Sequence, residues 1–165
     1  MAALWTLYDG CSAAPMAEKE NTQPGSAVVD GEAGVTWMFS VPDAVYFTRT
    51  EITCNQYAAC MNAGTCERKI HRTNSDNRDC NLGYPDRGVH PVNCVQWTGA
   101  EQFCAWIGGR LPTKNEWNAE ASDGQRRYWP WGDTPEPTAE YAVWDIADDE
   151  ACTGKTTCPV CSRQA

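Results

Sequence analysis

Positive charge is scarce in this chain. Against 13 lysines and arginines stand 22 aspartates and glutamates in 165 residues, a formal net charge of -9 with a pI near 4.6. Phosphate contacts need a cationic face, so nucleic acid is excluded as a partner class. Long apolar runs are also missing, and none approaches the roughly 20 residues of a membrane span. No phosphate-cradling glycine loop and no dinucleotide fingerprint occurs. Histidine appears only as His71 and His90, neither with an evident serine or cysteine partner, so no hydrolase constellation forms. A clear signal peptide is absent too. Met1 to Tyr8 is mildly apolar, but it lacks a basic start and is too short for an export segment. Gly10-Cys11 only faintly resembles a lipoprotein cleavage site, because Asp9 is wrong for one.

Cysteine, by contrast, is abundant. Ten cysteines point to an oxidising compartment, so an exported location (extracellular, periplasmic or cell envelope) is expected. Cys60, Cys66, Cys80 and Cys94 flank a glycine- and asparagine-rich loop with little apolar material, where two disulfides would replace a missing core. Four cysteines allow three pairings, and spacing does not choose among them. Zinc is the weaker reading, since no C-x2-C occurs among the four and the histidines lack ligand spacing. Cys158-Pro159-Val160-Cys161 is a C-x-x-C, yet it follows a Thr- and Gly-rich loop instead of opening a helix beside a strand. Cys152 with Cys158 is the expected loop disulfide, leaving Cys161 as a free thiol.

Residues 1–34 are rich in Ala, Gly, Ser, Pro and Glu without sustained period, as in a poorly ordered leader or linker; residues 35–165 carry the domain. Val35 to Val41 alternates like a strand, and Val45 to Thr48 is a second strand candidate. Thr53 with Gln56 forms a capping box opening a first helix, with Cys54, Tyr57, Ala58 and Met61 on its apolar face and Gly64 at its end. Val92 to Trp97 reads as a short strand. Thr98 with Glu101 predicts a second capping box, followed by the apolar face Ala100, Phe103, Cys104 and Ile107 and a stop at Gly108-Gly109. Thr113 with Glu116 predicts a third, opening a helix that carries Trp117 and Ala121. Arg110 is expected to support that turn by binding backbone carbonyls or a carboxylate. Trp129 to Asp133 closes the unit as an aromatic turn, with Asp133 capping backbone. Most of the eight tryptophans are expected to pack in the core.

This order of motifs strongly resembles the sulfatase-modifying factor family, the formylglycine-generating enzymes and their relatives. The family pattern runs HPV-x-x-V-x-W, A-x-x-[FY]-C-x-W, G-[KR]-RLPTE-x-EWE and [YF]-PWG-[DN]. His90, Pro91, Val92, Val95, Trp97, Cys104, Trp106, Arg110, Leu111, Pro112, Thr113, Glu116, Trp117, Pro130, Trp131, Gly132 and Asp133 match it. Glu51-Ile52-Thr53 through Gln56-Tyr57 resembles the upstream E-V-T-x-x-[QE]-[YF], so the resemblance spans roughly Val41 to Val160. It implies an irregular α+β domain of the C-type-lectin-like fold, incomplete here and disulfide-braced.

Active members of the family oxidise a sulfatase cysteine to formylglycine with oxygen. Their copper(I) is held by two cysteines, and the substrate thiolate completes the sulfur ligation. The implied substrate is an unfolded sulfatase segment containing C-x-[PA]-x-R. Those cysteines belong beyond a G-N-x-W-E-W motif and near an R-G-G-S-W motif, and neither motif occurs in the sequence ending at Ala165. The expectation is therefore no catalytic or cofactor-binding residue in this chain, copper only where the missing half is present, and inactivity alone, as a fragment or a truncated reading frame. A non-catalytic exported binding module on the same scaffold is the alternative, its partner another exported protein or a glycan. Cys104 matches a family cysteine that in some enzymes pairs with one on the next helix, where Ala121 stands here, so Cys104 is expected to be a small buried residue. Asp145, Asp148 and Asp149 supply carboxylates for a calcium loop of the kind the family carries after its P-W-G-[DN] turn. A solvated acidic loop fits better, because Val143 follows Ala142 where many members have Ala-Asn.

Overall fold

The structure, a computed structural model, describes residues 12–13, 27–28, 32–40, 45–68, 80–122, 127–134 and 157–162. Its sheet grows from a hairpin. Trp37–Ser40 (β3) and Val45–Thr48 (β4) pair antiparallel, with Trp37 opposite Thr48 and Ser40 opposite Val45. Both sit where the sequence pattern puts strands. Ser12–Ala13 (β1) adds antiparallel to β4 and Ala27–Val28 (β2) to β3, giving the order β1-β4-β3-β2. These four residues lie in the stretch expected to be a leader or linker, and there that stretch is sheet. All four residues of β4 are buried, so it reads as a continuous apolar run instead of alternating.

Three short helices follow. The first, Cys54–Asn62 (α1), opens with the expected capping box: Gln56 N–H donates to Thr53 Oγ1 at 3.3 Å and Thr53 N–H to Gln56 Oε1 at 2.9 Å. The remaining amides of its first turn are met by the HPV segment. Cys54 N–H donates to the His90 carbonyl and Asn55 N–H to that of Gly88, both at 2.9 Å. Every orphan donor of this helix start thus has a partner. Thr53 also bridges Pro91, and Val92 N–H donates to the Ile52 carbonyl at 2.7 Å. Val92 to Trp97 makes these isolated contacts and forms no strand, a correction of the sequence reading.

The second helix, Trp97–Trp106 (α2), begins earlier than expected. Gln96 is its N-cap and makes no side-chain cap bond. Thr98 is consequently inside the first turn, where its hydroxyl is too far along the helix to cap it, and the Thr98–Glu101 box does not form. The helix ends as expected: Gly108 adopts φ +83°, Gly108 N–H donates to Ala105 O at 3.1 Å and Gly109 N–H to Cys104 O at 2.7 Å. This is a Schellman stop, with glycine in the left-handed position. The third helix, Lys114–Ala121 (α3), buries none of its residues and opens on the Thr113–Glu116 capping box.

The core forms where α1 and α2 meet the hairpin. Val35, Trp37, Tyr46, Ile52, Tyr57, Phe103 and Ile107 are buried together, and the Tyr57 and Phe103 rings stack at 5.8 Å. Burying each large apolar side chain is worth roughly 1.5–3 kcal/mol. Gly99 makes the helix contact close, because a Cβ there would lie 2.5 Å from the Tyr57 hydroxyl. Two disulfides brace the loops, Cys60–Cys66 and Cys80–Cys94. Both join neighbours in sequence, one of the three pairings that spacing allowed. Among the described residues, no helix is long and apolar enough to cross a membrane.

Candidate functional site

Arg110 and Glu116 sit on the turn between α2 and α3. Arg110 Nη1 and Nη2 donate to the two Glu116 oxygens at 2.8 and 2.6 Å, a planar fork on a planar carboxylate. Nη1 also reaches the Leu111 carbonyl at 3.1 Å, and Glu116 accepts the Thr113 N–H at 2.7 Å. The guanidinium, together with the Thr113 bonds, holds the Glu116 carboxyl well down, at about 2. Glu116 has no proton to give or take near neutrality, and this turn is framework. Arg110 binds both a carbonyl and a carboxylate there, as its sequence position suggests.

The aromatic turn is a two-residue hairpin. Trp129 and Gly132 exchange backbone bonds at 3.2 and 3.0 Å around Pro130-Trp131, and Gly132 adopts φ +127°. Asp133 Oδ1 accepts the Tyr128 N–H at 2.9 Å, so it caps backbone five residues upstream. The Trp129 and Trp131 rings stack nearly parallel, 5.9 Å between centroids and 7° between planes.

Another cluster is centred on Asn81, fully buried at 0 % exposure. Its N–H donates to Asn93 Oδ1 at 2.7 Å, and its Nδ2 donates to the Pro91 carbonyl at 2.7 Å and to Thr157 Oγ1 at 2.9 Å. Its Oδ1 accepts from Arg87 Nη1 at 3.0 Å. Thr157 Oγ1 lies 2.9 Å from His90 Nδ1. The threonine hydroxyl therefore links the Asn81 amide and the His90 ring, having both a proton to donate and a second lone pair to accept with. His90, known from the sequence only as framework, is thus the rim of a polar knot joining the Cys80–Cys94 loop to the segment around Cys158. Asn81, Arg87, Asn93 and Thr157 were missed in the sequence. Nothing local in the sequence marks Asn81 or Thr157, whose burial and pairing arise only from the fold.

The thiols divide sharply. Cys54 is buried, free and 3.8 Å from the Pro91 carbonyl, and burial pushes its thiol up to about 11. Cys161 is free and exposed. Cys104 is buried as expected, but it is disulfide-bonded, which corrects its reading as a plain packing residue. Cys158 is disulfide-bonded as well, and Cys152, its expected partner, lies outside the described residues. So do His71 and the acidic run Asp145, Asp148 and Asp149. Among the described residues, no group of three or more His, Cys, Asp or Glu side chains could hold a metal ion.

Of the framework residues, Arg110, Pro112 and Thr113 lead into α3, Glu116 and Trp117 lie in its first turn, Trp131, Gly132 and Asp133 belong to the aromatic hairpin, Trp97 is the first residue of α2, and His90 precedes it in sequence. Over residues 19–160 the chain matches the family described as the sulfatase-modifying factor enzyme 1-like domain. The chain belongs to this family. Similar curated proteins include a formylglycine-generating enzyme from Mus musculus, 41% identical over 56 residues that cover 33% of this chain and 15% of that protein. A hercynine oxygenase from Mycobacterium tuberculosis is 46% identical over 56 residues, 32% of this chain and 13% of its own length. An inactive C-alpha-formylglycine-generating enzyme 2 from Bos taurus is 44% identical over 56 residues, 33% and 19%. The matched stretch thus spans under a fifth of each of these relatives. By their names, sulfatase-modifying-factor domains include a formylglycine generator, an oxygenase and an inactive protein, so membership alone assigns no activity.

Proposed function

We propose that this chain is a disulfide-braced scaffold portion of a formylglycine-generating-enzyme-like domain, on a C-type-lectin-like framework, and that by itself it oxidises no cysteine. The observation carrying this reading is the state of its sulfur. Six of the eight described cysteines are in disulfides, and Cys54 is held as a buried thiol, which leaves Cys161 exposed. Copper(I) oxidation of the family type needs two accessible thiolates side by side, and the described residues do not fit that ligand set. Short helices, one small sheet and long braced loops support the lectin-like scaffold. Disulfides and family support an exported or lumenal location. Any formylglycine chemistry on an unfolded sulfatase segment would rest on residues outside those described, and calcium would fall to Asp145, Asp148 and Asp149.

A second reading, a loop-borne binding module for an exported protein or a glycan, draws on Trp97 and Tyr128, which are 66% and 84% exposed. Aromatic side chains so open to solvent suit recognition better than packing. An oxygen electrode tests the scaffold reading. With copper(I), reductant and a peptide containing C-x-P-x-R, the chain should consume no oxygen above the copper blank. Peptide-dependent consumption with aldehyde formation would refute the scaffold reading.

A further inference from the structure

The Cys80–Cys94 disulfide differs from the Cys60–Cys66 bridge in two ways. Cys94 adopts φ +60°, a left-handed conformation that strains an L residue and persists only where its surroundings impose it. The bond to Cys80, with Cα atoms 5.6 Å apart, and the Asn81 N–H on Asn93 Oδ1 at 2.7 Å fasten that turn. Cys94 is also only half-buried, whereas Cys80, Cys60 and Cys66 are all buried. Strained, partly open disulfides are the ones that reductants reach.

The ring closed by Cys80 and Cys94 also grips residues 157–160. Thr157 Oγ1 accepts from Asn81 Nδ2 and lies 2.9 Å from His90 Nδ1, and Val160 N–H donates to the Val89 carbonyl at 3.0 Å. Asn81, Val89 and His90 all lie between the two cysteines. The later half of the ring is anchored to α1, because the Gly88 and His90 carbonyls accept the Asn55 and Cys54 amides. Asn81, in the first half, is held to that later half by its hydrogen bonds and by the disulfide at its neighbour Cys80.

We propose that the Cys80–Cys94 disulfide is a redox latch on residues 157–162, opened by an external dithiol. One thiolate of the dithiol attacks Cys94 Sγ, the Cys80–Cys94 bond breaks, and the electron pair leaves on Cys80 Sγ, which takes up a proton. The second thiol of the reductant then attacks the reductant's own sulfur in the mixed disulfide and releases Cys94, which is protonated in turn. The dithiol ends as a disulfide, and its two electrons and two protons end on Cys80 and Cys94. Reduced Cys94 relaxes out of the left-handed region and Asn93 turns with it, so Asn81 loses both its cross-linked neighbour and its backbone acceptor. The grip on Thr157 weakens while Gly88 and His90 continue to cap α1. This latch stands whether or not the chain oxidises a substrate.

The test incubates the native whole chain in a graded series of dithiothreitol, with acid quench, alkylation, peptide mapping and hydrogen exchange at each step. Cys80 and Cys94 should be labelled at a lower dithiothreitol concentration than Cys60, Cys66 or Cys158. At that concentration the 157–162 peptide should exchange about tenfold faster, with the α2 peptide unchanged. The double variant Cys80→Ser, Cys94→Ser should exchange that fast without reductant and gain nothing from its addition. Labelling of Cys60, Cys66 or Cys158 before or together with Cys80 and Cys94 would overturn the proposal. Selective opening that leaves exchange of 157–162 unchanged would overturn it equally, and the wild type reads that result even where the double variant does not fold. A folded double variant that exchanges like the oxidised wild type would do the same.

Discussion

Arg110 holds Glu116 with both arms of its guanidinium while Glu116 caps α3 through the Thr113 N–H, so one carboxylate serves an ion pair and a helix start together. The Arg110 side chain is 48% exposed, and water screens the pair to about 1 kcal/mol or less. Glutamine still offers an oxygen to the Thr113 N–H, as Gln56 does for Thr53 in α1, so Glu116→Gln should lower unfolding free energy at neutral pH by about 1 kcal/mol or less, read by urea denaturation.

The same carboxyl gives a pH dependence. Its folded value, about 2, lies below the ordinary 4.5, so the fold favours the ionised form. That contribution is whole above pH 4.5 and is lost as pH falls towards 2. Denaturation midpoints of wild type and Glu116→Gln should converge over this window. Parallel curves would show that the charge is not what Glu116 contributes.

Cys54 works in the opposite direction. Its thiol is raised from 9.0 to about 11, so the fold favours the protonated form, and this contribution is whole below pH 9.0 and lost as pH rises towards 11. Iodoacetamide at neutral pH should label Cys161 in the native protein and reach Cys54 only after denaturant is added. Native labelling of Cys54 would mean that its pocket opens.

Asn81 is fully buried and its side chain makes three hydrogen bonds. Asn81→Ala removes a partner from Arg87, from Thr157 and from the Pro91 carbonyl at a fully buried position, where each buried polar group left unmet costs about 1–3 kcal/mol. A loss of more than about 2 kcal/mol is expected by chemical denaturation. Gly99→Ala should cost roughly 1–3 kcal/mol, because the new methyl meets the Tyr57 hydroxyl at 2.5 Å and must displace a buried ring.

What was legible in the sequence was local. The boxes at Thr53 and Thr113, the stops at Gly64 and Gly108 and the hairpin strands depend on neighbours three or four residues apart, and they stand as read. The Thr98 box failed because α2 starts at Trp97, and the pattern by itself does not fix which residue becomes the N-cap. Disulfide partners, the bond on Cys104 and the knot of Asn81 with Thr157 depend on residues that only the fold brings together. Asn81 and Thr157 are 76 residues apart, and no periodicity spans that distance.

The central proposal is that the described cysteines of this sulfatase-modifying-factor scaffold offer copper(I) no thiolate pair. A titration of the purified, unreduced chain with copper(I) against a chromogenic chelator tests it most directly. The account predicts that the chelator keeps the metal, with Cys161→Ser indistinguishable from wild type. Stoichiometric extraction of one copper(I) per chain, lost on thiol alkylation, would contradict it.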